Sequence, residues 1–145
     1  MKKHLFKQVS IIGMGLIGSS LALSIKKNKL AGETIGYAKS LSTRKKAKKL
    51  KLVDTVSDSL SKCVQGSDLI LICTPLSTYS KIIKNIRPHI KKDSIISDVG
   101  SAKEKSIKQM ESLLGTGIEF IPAHPIAGTE NSGPSSGFAT LFENR

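Results

Sequence analysis

Three glycines near the start of the chain have the spacing of a phosphate-binding turn. Gly13, Gly15 and Gly18 form the pattern G-x-G-x-x-G, which follows a strand-like apolar run and opens a helix-like stretch. The first glycine permits a tight turn, the second lets the backbone approach a pyrophosphate, and the third lets the helix pack against the strand. The N–H groups of Leu16 and Ile17 would then face the phosphates. The pattern predicts a dinucleotide site; the alternative is a structural turn without a ligand.

The residue about 20 positions beyond these glycines decides which dinucleotide such a turn accepts. An acidic side chain there binds the ribose hydroxyls of NAD, but this chain has Ala38 at that position. Lys39, Ser40 and Arg44 follow closely and could meet the 2′-phosphate of NADP instead. We therefore expect NAD or NADP as the cofactor, with a slight preference for NADP.

Two further groups of residues follow strand-like runs, at the strand ends where doubly wound sheets bind ligands. Cys73, Thr74 and Pro75 follow one run, and we expect them to contact the nicotinamide ribose. Asp98 ends the next run in the same way, and we include it among the cofactor-binding residues.

Ser101 and His124 are the candidate catalytic residues. Ser101 could cap a helix that begins near Lys103, a role compatible with a second one in ligand binding or catalysis. His124 follows the last strand-like run and precedes a segment rich in Gly and Pro. An imidazole side chain can accept a proton as a hydride leaves a substrate, although a lone histidine is more often structural. We interpret His4 and His89 as surface residues.

Strand-like and helix-like patterns alternate along the chain and would position these residues. Strands are predicted at residues 8–12, 34–37, 69–73, 94–99 and 119–121, with a weak one at 55–56. Helices are predicted at residues 16–27, 42–50, 78–87 and 103–114. Because parallel strands need crossover connections, the alternation predicts an α/β fold of Rossmann type, a doubly wound, mainly parallel sheet with helices on both faces. From Pro122 onward, glycines and prolines predict a long irregular segment.

The size and composition favour a single globular domain. A chain of 145 residues can bury one core but is short for two domains. No apolar run approaches the roughly 20 residues that a membrane span needs, and the basic N-terminus lacks the apolar stretch of a secretory signal. The only two cysteines do not suggest a disulfide framework. We therefore expect a cytoplasmic protein without a metal site.

The formal net charge of +12 raises the question of nucleic-acid binding. The lysines are spread over several predicted helices, and only 4% of the residues are aromatic, so no stacking platform accompanies the charge. We interpret the charge as solvated helix faces with a general attraction for anionic small molecules, and expect no nucleic-acid partner. A steep dependence of binding on salt would favour the alternative.

Taken together, these segments resemble the prephenate/arogenate dehydrogenase family over nearly the whole chain, from Val9 to Arg145. The most specific segment is HPIAGTE at residues 124–130, with Ser132-Gly133-Pro134 behind it. The glycine turn, Cys-Thr-Pro at residues 73–75 and DVGSAK at residues 98–103 support it in the same order. Any one of the four could arise by chance, but the ordered set hardly could.

The resemblance implies an NAD(P)-dependent oxidative decarboxylation in tyrosine biosynthesis, of prephenate to 4-hydroxyphenylpyruvate or of arogenate to tyrosine. It implies that His124 takes the proton of the ring hydroxyl while hydride goes to the nicotinamide, and that Ser101 aligns His124 with that hydroxyl. Thr129 and Glu130 would line or gate the substrate pocket. The choice between prephenate and arogenate stays open.

The resemblance also implies a helical C-terminal domain that forms a homodimer and supplies an arginine for the substrate carboxylates. No such domain follows Arg145 in this sequence. We therefore expect residues 1–145 to be the dinucleotide-binding domain, able to bind nucleotide but with little or no turnover. Two rival classes stay open: another two-domain dehydrogenase, such as one of the 3-hydroxyacid group, and a non-catalytic dinucleotide-sensing module.

Overall fold

The computed structural model describes residues 3–125 and 131–143, whose strands form one parallel sheet. Its order is β3-β2-β1-β4-β5-β6. The strands are β1 (Phe6–Ile12), β2 (Ala31–Tyr37), β3 (Thr55–Val56), β4 (Leu69–Ile72), β5 (Ile95–Asp98) and β6 (Glu119–Pro122). The direction in which the sheet is built reverses at the β1–β4 pair, because β2 and β3 lie on one side of β1 and the later strands on the other. Such a reversal opens a crevice at the carboxyl ends of the strands.

Five α-helices connect the strands in the described part of the chain. They are α1 (Leu16–Lys27), α2 (Leu41–Lys49), α3 (Leu60–Val64), α4 (Tyr79–Ile86) and α5 (Lys103–Leu114). Short 3₁₀ turns lie at Leu76–Thr78, Arg87–His89 and Pro134–Ser136. The predicted elements are all present, including the weak strand at Thr55–Val56, and α3 is an addition. The hydroxyl of Ser59 caps α3 by accepting the N–H of Lys62 at 3.2 Å.

The sheet separates two apolar clusters, because neighbouring side chains of a strand point to opposite faces. In β1, Val9 and Ile11 belong to one cluster, with α1 and α2, whereas Ile12 belongs to the other, with α4 and α5. The second cluster contains Ile82, Ile83 and Ile86 of α4 together with Met110 and Leu114 of α5. Helices therefore cover both faces, which confirms the predicted fold class.

The strand register brings the carboxyl ends of five strands into one row. Ile12 is paired with Tyr37 on one side and with Ile72 on the other. Ile72 is in turn paired with Asp98, and Asp98 with Pro122. The residues that follow these five positions therefore lie along the same edge of the sheet, which is the edge where the sequence predicted ligand binding.

Residues 131–143 run back along α1. The N–H of Phe138 donates to the hydroxyl of Ser20 at 3.1 Å, and Glu143 forms an ion pair with Lys27 at 2.8 Å. Leu141 is buried. Apart from the 3₁₀ turn this part of the chain is irregular, as predicted. Within the described residues, no helix combines the length and apolar character needed to cross a membrane.

Candidate active site

The three glycines of the turn between β1 and α1 meet different surroundings. Gly13 has a φ of +99°, and a Cβ there would lie 2.6 Å from the carbonyl oxygen of Cys73. A Cβ at Gly18 would lie 1.9 Å from the carbonyl oxygen of Gly13. A Cβ at Gly15 would meet no neighbouring atom within 4 Å. Gly13 and Gly18 are thus required by the packing of the protein itself, whereas Gly15 borders open space of the kind a ligand could occupy.

The N-terminus of α1 has the properties of an anion site. Gly15 occupies the cap position without a side-chain hydrogen bond, and the first turn contains no acidic residue. No side chain therefore caps the first N–H groups of the helix, which leaves those of Leu16 and Ile17 available to a phosphate, with the partial positive charge of the helix end behind them.

A cleft of about 410 Å³ adjoins this turn at the carboxyl ends of β1, β2 and β4. Gly13, Ala38, Lys39 and Thr74 are the predicted cofactor residues that line it. The remaining lining residues were not predicted from the sequence; they are Ile12, Tyr37, Leu60, Ser77, Thr78, Lys81, Ile82 and Asn85. The i, i+4 spacing of Lys81 and Asn85, which puts both on one exposed face of α4, is the signal that could have found these two.

At the end of β2, Ala38 stands at the position where an NAD-specific site has a carboxylate, and the Arg44 side chain of α2 lies beside the backbone there. Ala38 is buried, and the Arg44 guanidinium donates through Nη1 to the carbonyl oxygens of Ala38 at 2.7 Å and Lys39 at 2.9 Å. The guanidinium carbon lies 5.8 Å from the centre of the Tyr37 ring, within cation–π range. Ser40 caps α2 by accepting the N–H of Thr43 at 3.4 Å. Arg44 is therefore held against the backbone of two residues that line the cleft, although it does not line the cleft itself.

Cys73, Thr74 and Pro75 leave β4 next to the glycine turn. Thr78 Oγ1 lies 2.8 Å from Thr74 Oγ1 and 2.6 Å from the carbonyl oxygen of Pro75, so the 3₁₀ turn holds the Thr74 hydroxyl at the cleft. Burial, and secondarily the charge of Asp98, raises the pKa of the Cys73 thiol to about 12. The thiol is therefore neutral and is no nucleophile at neutral pH.

The side chain of Asp98 is directed into the protein. Its side chain is completely enclosed by the protein, and both carboxylate oxygens accept hydrogen bonds from protein groups, from Tyr79 and Gly100 on Oδ2 and from Lys103 and Ala123 on Oδ1. The end of β5 lies at the predicted edge of the sheet, but the Asp98 carboxylate is directed into the protein and not into the crevice. The enclosed carboxylate is therefore not available to a cofactor, and the predicted contact stays a prediction for the backbone at this strand end.

Ser101 and His124 are both exposed. They follow β5 and β6 at the edge of the sheet where the carboxyl ends of the strands lie, which we call the active edge. The predicted cap is wrong, because the cap residue of α5 is Ala102, without a side-chain hydrogen bond. The backbone N–H of Lys103 donates to the backbone carbonyl of Ser101 at 3.0 Å. His124 comes two residues after the end of β6, the strand beside Asp98. His4 and His89 are exposed, as predicted. Thr129 and Glu130, the predicted substrate residues, lie outside the described residues.

The described residues contain no group of three or more His, Cys, Asp or Glu side chains arranged to hold a metal ion. The open space at Gly15, the uncapped start of α1 and the adjoining cleft instead fit an elongated anion with a flat base. A doubly wound parallel sheet with this turn between its first strand and helix is a Rossmann-type dinucleotide-binding domain.

Comparison with known proteins gives the family. Residues 21–145 match the model of the prephenate dehydrogenase nucleotide-binding domain, and the chain belongs to this family. The cyclohexadienyl dehydrogenase of Zymomonas mobilis is 42% identical over 139 residues, which cover 96% of this chain and 47% of the relative.

Two solved structures have the same fold. The prephenate dehydrogenase of A. aeolicus in complex with hydroxyphenyl propionate and NAD+ has a TM-score of 0.85 and 28% identity, covering 99% of this chain and 49% of that one. The arogenate dehydrogenase of Synechocystis has a TM-score of 0.85 and 31% identity, covering 94% of this chain and 47% of that one. This chain therefore spans about half the length of these relatives.

Proposed function

We propose that this chain is the dinucleotide-binding half of an enzyme that oxidises and decarboxylates prephenate or arogenate with NAD or NADP. The observation that carries the proposal is the row of strand ends, which puts the glycine turn and the His124 segment on one edge of the sheet. Membership of the prephenate dehydrogenase family and the ligands of the A. aeolicus relative support it.

In this proposal His124 accepts the proton of the substrate ring hydroxyl. The bound dinucleotide supplies the hydride acceptor. As the hydrogen leaves the hydroxyl-bearing carbon with its electron pair, transfer of the O–H proton to His124 lets that carbon become a carbonyl. The bond between the ring and its carboxylate then breaks and carbon dioxide leaves. The electron pair of that bond completes the aromatic ring, and the former carbonyl oxygen takes back the proton that His124 holds to become the phenol hydroxyl. Ser101 aligns the hydroxyl with His124, and Thr129 and Glu130 line the substrate pocket.

We also propose that residues 1–145 contribute the cofactor site and the catalytic pair His124 and Ser101, but only part of the substrate site. The relatives are about twice as long, so a second domain is the expected source of the remaining substrate contacts and of a homodimer interface. On this proposal the 145-residue chain binds dinucleotide and turns over little or no substrate. The reaction is therefore to be assayed in the full-length gene product.

Replacement of His124 tests the mechanism. We expect His124→Asn in the full-length gene product to lower kcat by about 10²–10⁴-fold, because a general base contributes on that order, with the Kd of the dinucleotide unchanged within about twofold. His89→Asn is the matched control, since His89 is exposed and precedes β5 at the opposite edge. Undiminished turnover in His124→Asn would favour the rival 3-hydroxyacid type of dehydrogenase. Dinucleotide binding without turnover of either substrate in the unmodified enzyme would favour a sensing module.

For the cofactor, we propose that NADP is accepted at least as well as NAD, because Ala38 offers no carboxylate to the ribose and Arg44 puts a cation beside it. We expect Arg44→Ala to weaken NADP binding by about tenfold, or ~1.4 kcal/mol, with a smaller effect on NAD. Lys45→Ala, which removes a neighbouring exposed cation of α2, should change neither. Thermal unfolding of the chain with each dinucleotide measures both affinities. Equal losses for NAD and NADP in Arg44→Ala would exclude a 2′-phosphate contact.

A further inference from the structure

Asp98 at the end of β5 has a buried carboxylate that is the centre of a hydrogen-bonded cluster. Its Oδ2 accepts the hydroxyl of Tyr79 at 2.8 Å and the N–H of Gly100 at 3.3 Å. Its Oδ1 accepts the ammonium of Lys103 at 2.6 Å and the N–H of Ala123 at 3.3 Å. The side chains of Asp98 and Lys103 are 0% and 26% exposed. We call these five residues the Asp98 cluster.

The donors of the Asp98 cluster come from three separate parts of the chain. Tyr79 is the first residue of α4, and Ala123 follows β6. Gly100 lies in the loop before α5, and Lys103 is the first residue of that helix. Ser101 lies between the two donors at α5, and His124 is the residue directly after Ala123. A single carboxylate therefore fixes the backbone beside both candidate catalytic residues.

Stability alone does not explain why a carboxylate is buried at this position. Burying a carboxylate is unfavourable, and its hydrogen bonds to charged and polar donors mainly offset that cost, so apolar residues could fill the same space at no loss of stability. Burial and the neighbouring charge of Asp98 raise the pKa of Tyr79 well above its usual value, so the phenol stays a donor. A Cβ at Gly100 would lie 2.9 Å from the Tyr79 hydroxyl, so the loop packs tightly on this donor.

We propose that Asp98 is a positioning residue for the reaction, holding His124 and Ser101 so that both reach the same substrate hydroxyl. The inference rests on the proposed function, because it assumes that His124 is the base. Asp98 itself touches neither substrate nor cofactor, since its side chain is enclosed. It acts through the backbone at Ala123 and Gly100 and through the ion pair with Lys103.

The chain offers a matched control for Asp98 at the opposite edge of the sheet. Asp68 accepts the N–H groups of Lys7 at 2.7 Å and Gln8 at 3.3 Å, and it also pairs with the ammonium of Lys91. It therefore resembles Asp98 in having two backbone donors and one lysine. Asp68 directly precedes β4, far along the strands from the active edge, and its side chain is 25% exposed.

The experiment compares Asp98→Asn, Asp68→Asn, His124→Asn and the double variant Asp98→Asn/His124→Asn in the full-length gene product. We expect Asp98→Asn to lower kcat by about 10- to 100-fold with the KM of the dinucleotide changed less than about twofold, because misplacing a base affects chemistry more than binding. Asp68→Asn should leave kcat within about twofold. The double variant should be no slower than His124→Asn, since a positioning residue acts only through the group it positions.

Equal kcat values for Asp98→Asn and Asp68→Asn, or additive losses in the double variant, would overturn the inference while leaving His124 as the base. An active His124→Asn variant would instead overturn the proposed function. If Asp98→Asn does not fold, Lys103→Met and its counterpart Lys91→Met take its place, because both lysines are partly exposed. Lys103→Met should lower kcat several-fold and Lys91→Met should not; equal values again overturn the inference.

Discussion

At the scale of single residues, Gly15 and Gly18 differ in what an added methyl group would meet. The methyl of Gly15→Ala would enter open space, so we expect nearly unchanged stability without ligand and dinucleotide binding at least about tenfold weaker. The methyl of Gly18→Ala would overlap the carbonyl of Gly13, so the free protein should lose about 1–3 kcal/mol. Thermal unfolding of both variants, with and without NAD or NADP, separates the effects. Normal binding by Gly15→Ala would show that no pyrophosphate crosses this position.

Asp98 shows the limit of reasoning from sequence about one residue. The position of a polar residue at the end of a predicted strand correctly placed Asp98 in the row of carboxyl strand ends, because parallel strands end together. The same position could not show whether the carboxylate points into the crevice or beneath it. That direction depends on Tyr79, Lys103 and Ala123, which approach from three other parts of the chain. Ser101 failed as a predicted cap because α5 begins at Lys103 with Ala102 at the cap position, one residue beyond the serine.

At the scale of elements, the sequence predicted those strands and helices that are long enough for their apolar residues to show a period. The parallel strands and the four longer helices were predicted to within a few residues of their ends. The helix α3, Leu60–Val64, was missed because five residues give little more than one helical turn. Only its cap at Ser59 could have indicated it. The path of residues 131–143 along α1 was also beyond prediction, since it depends on contacts such as Phe138 with Ser20, far apart in sequence.

At the scale of the whole molecule, the ionisable groups held inside the fold set a limit at alkaline pH. Burial raises the pKa of Cys63 to about 12, and those of Cys73 and Tyr79 are raised as well, each mainly by burial. Each group ionises more readily in the unfolded chain, at roughly pH 8.5 for cysteine and 10 for tyrosine. The stability that depends on the neutral forms is fully present below those unfolded values. It is lost as the pH rises toward the folded values, because the unfolded state releases protons first.

We therefore expect the free energy of unfolding to fall between about pH 9 and 11, by ~1.4 kcal/mol per pH unit for each such group that ionises only on unfolding. Cys63→Ala removes one of these groups and should make the slope shallower by about that amount. Val64→Ala is the matched control, because it empties part of the same core without removing a titrating group, so it should lower stability at every pH and keep the slope. Urea unfolding at several pH values under reducing conditions measures the free energy of unfolding and its slope with pH for each variant. The titration of the exposed lysines is the same in every variant, so it does not affect the difference between their slopes. An identical slope in Cys63→Ala and the unmodified chain would mean that this thiol already ionises in the folded protein.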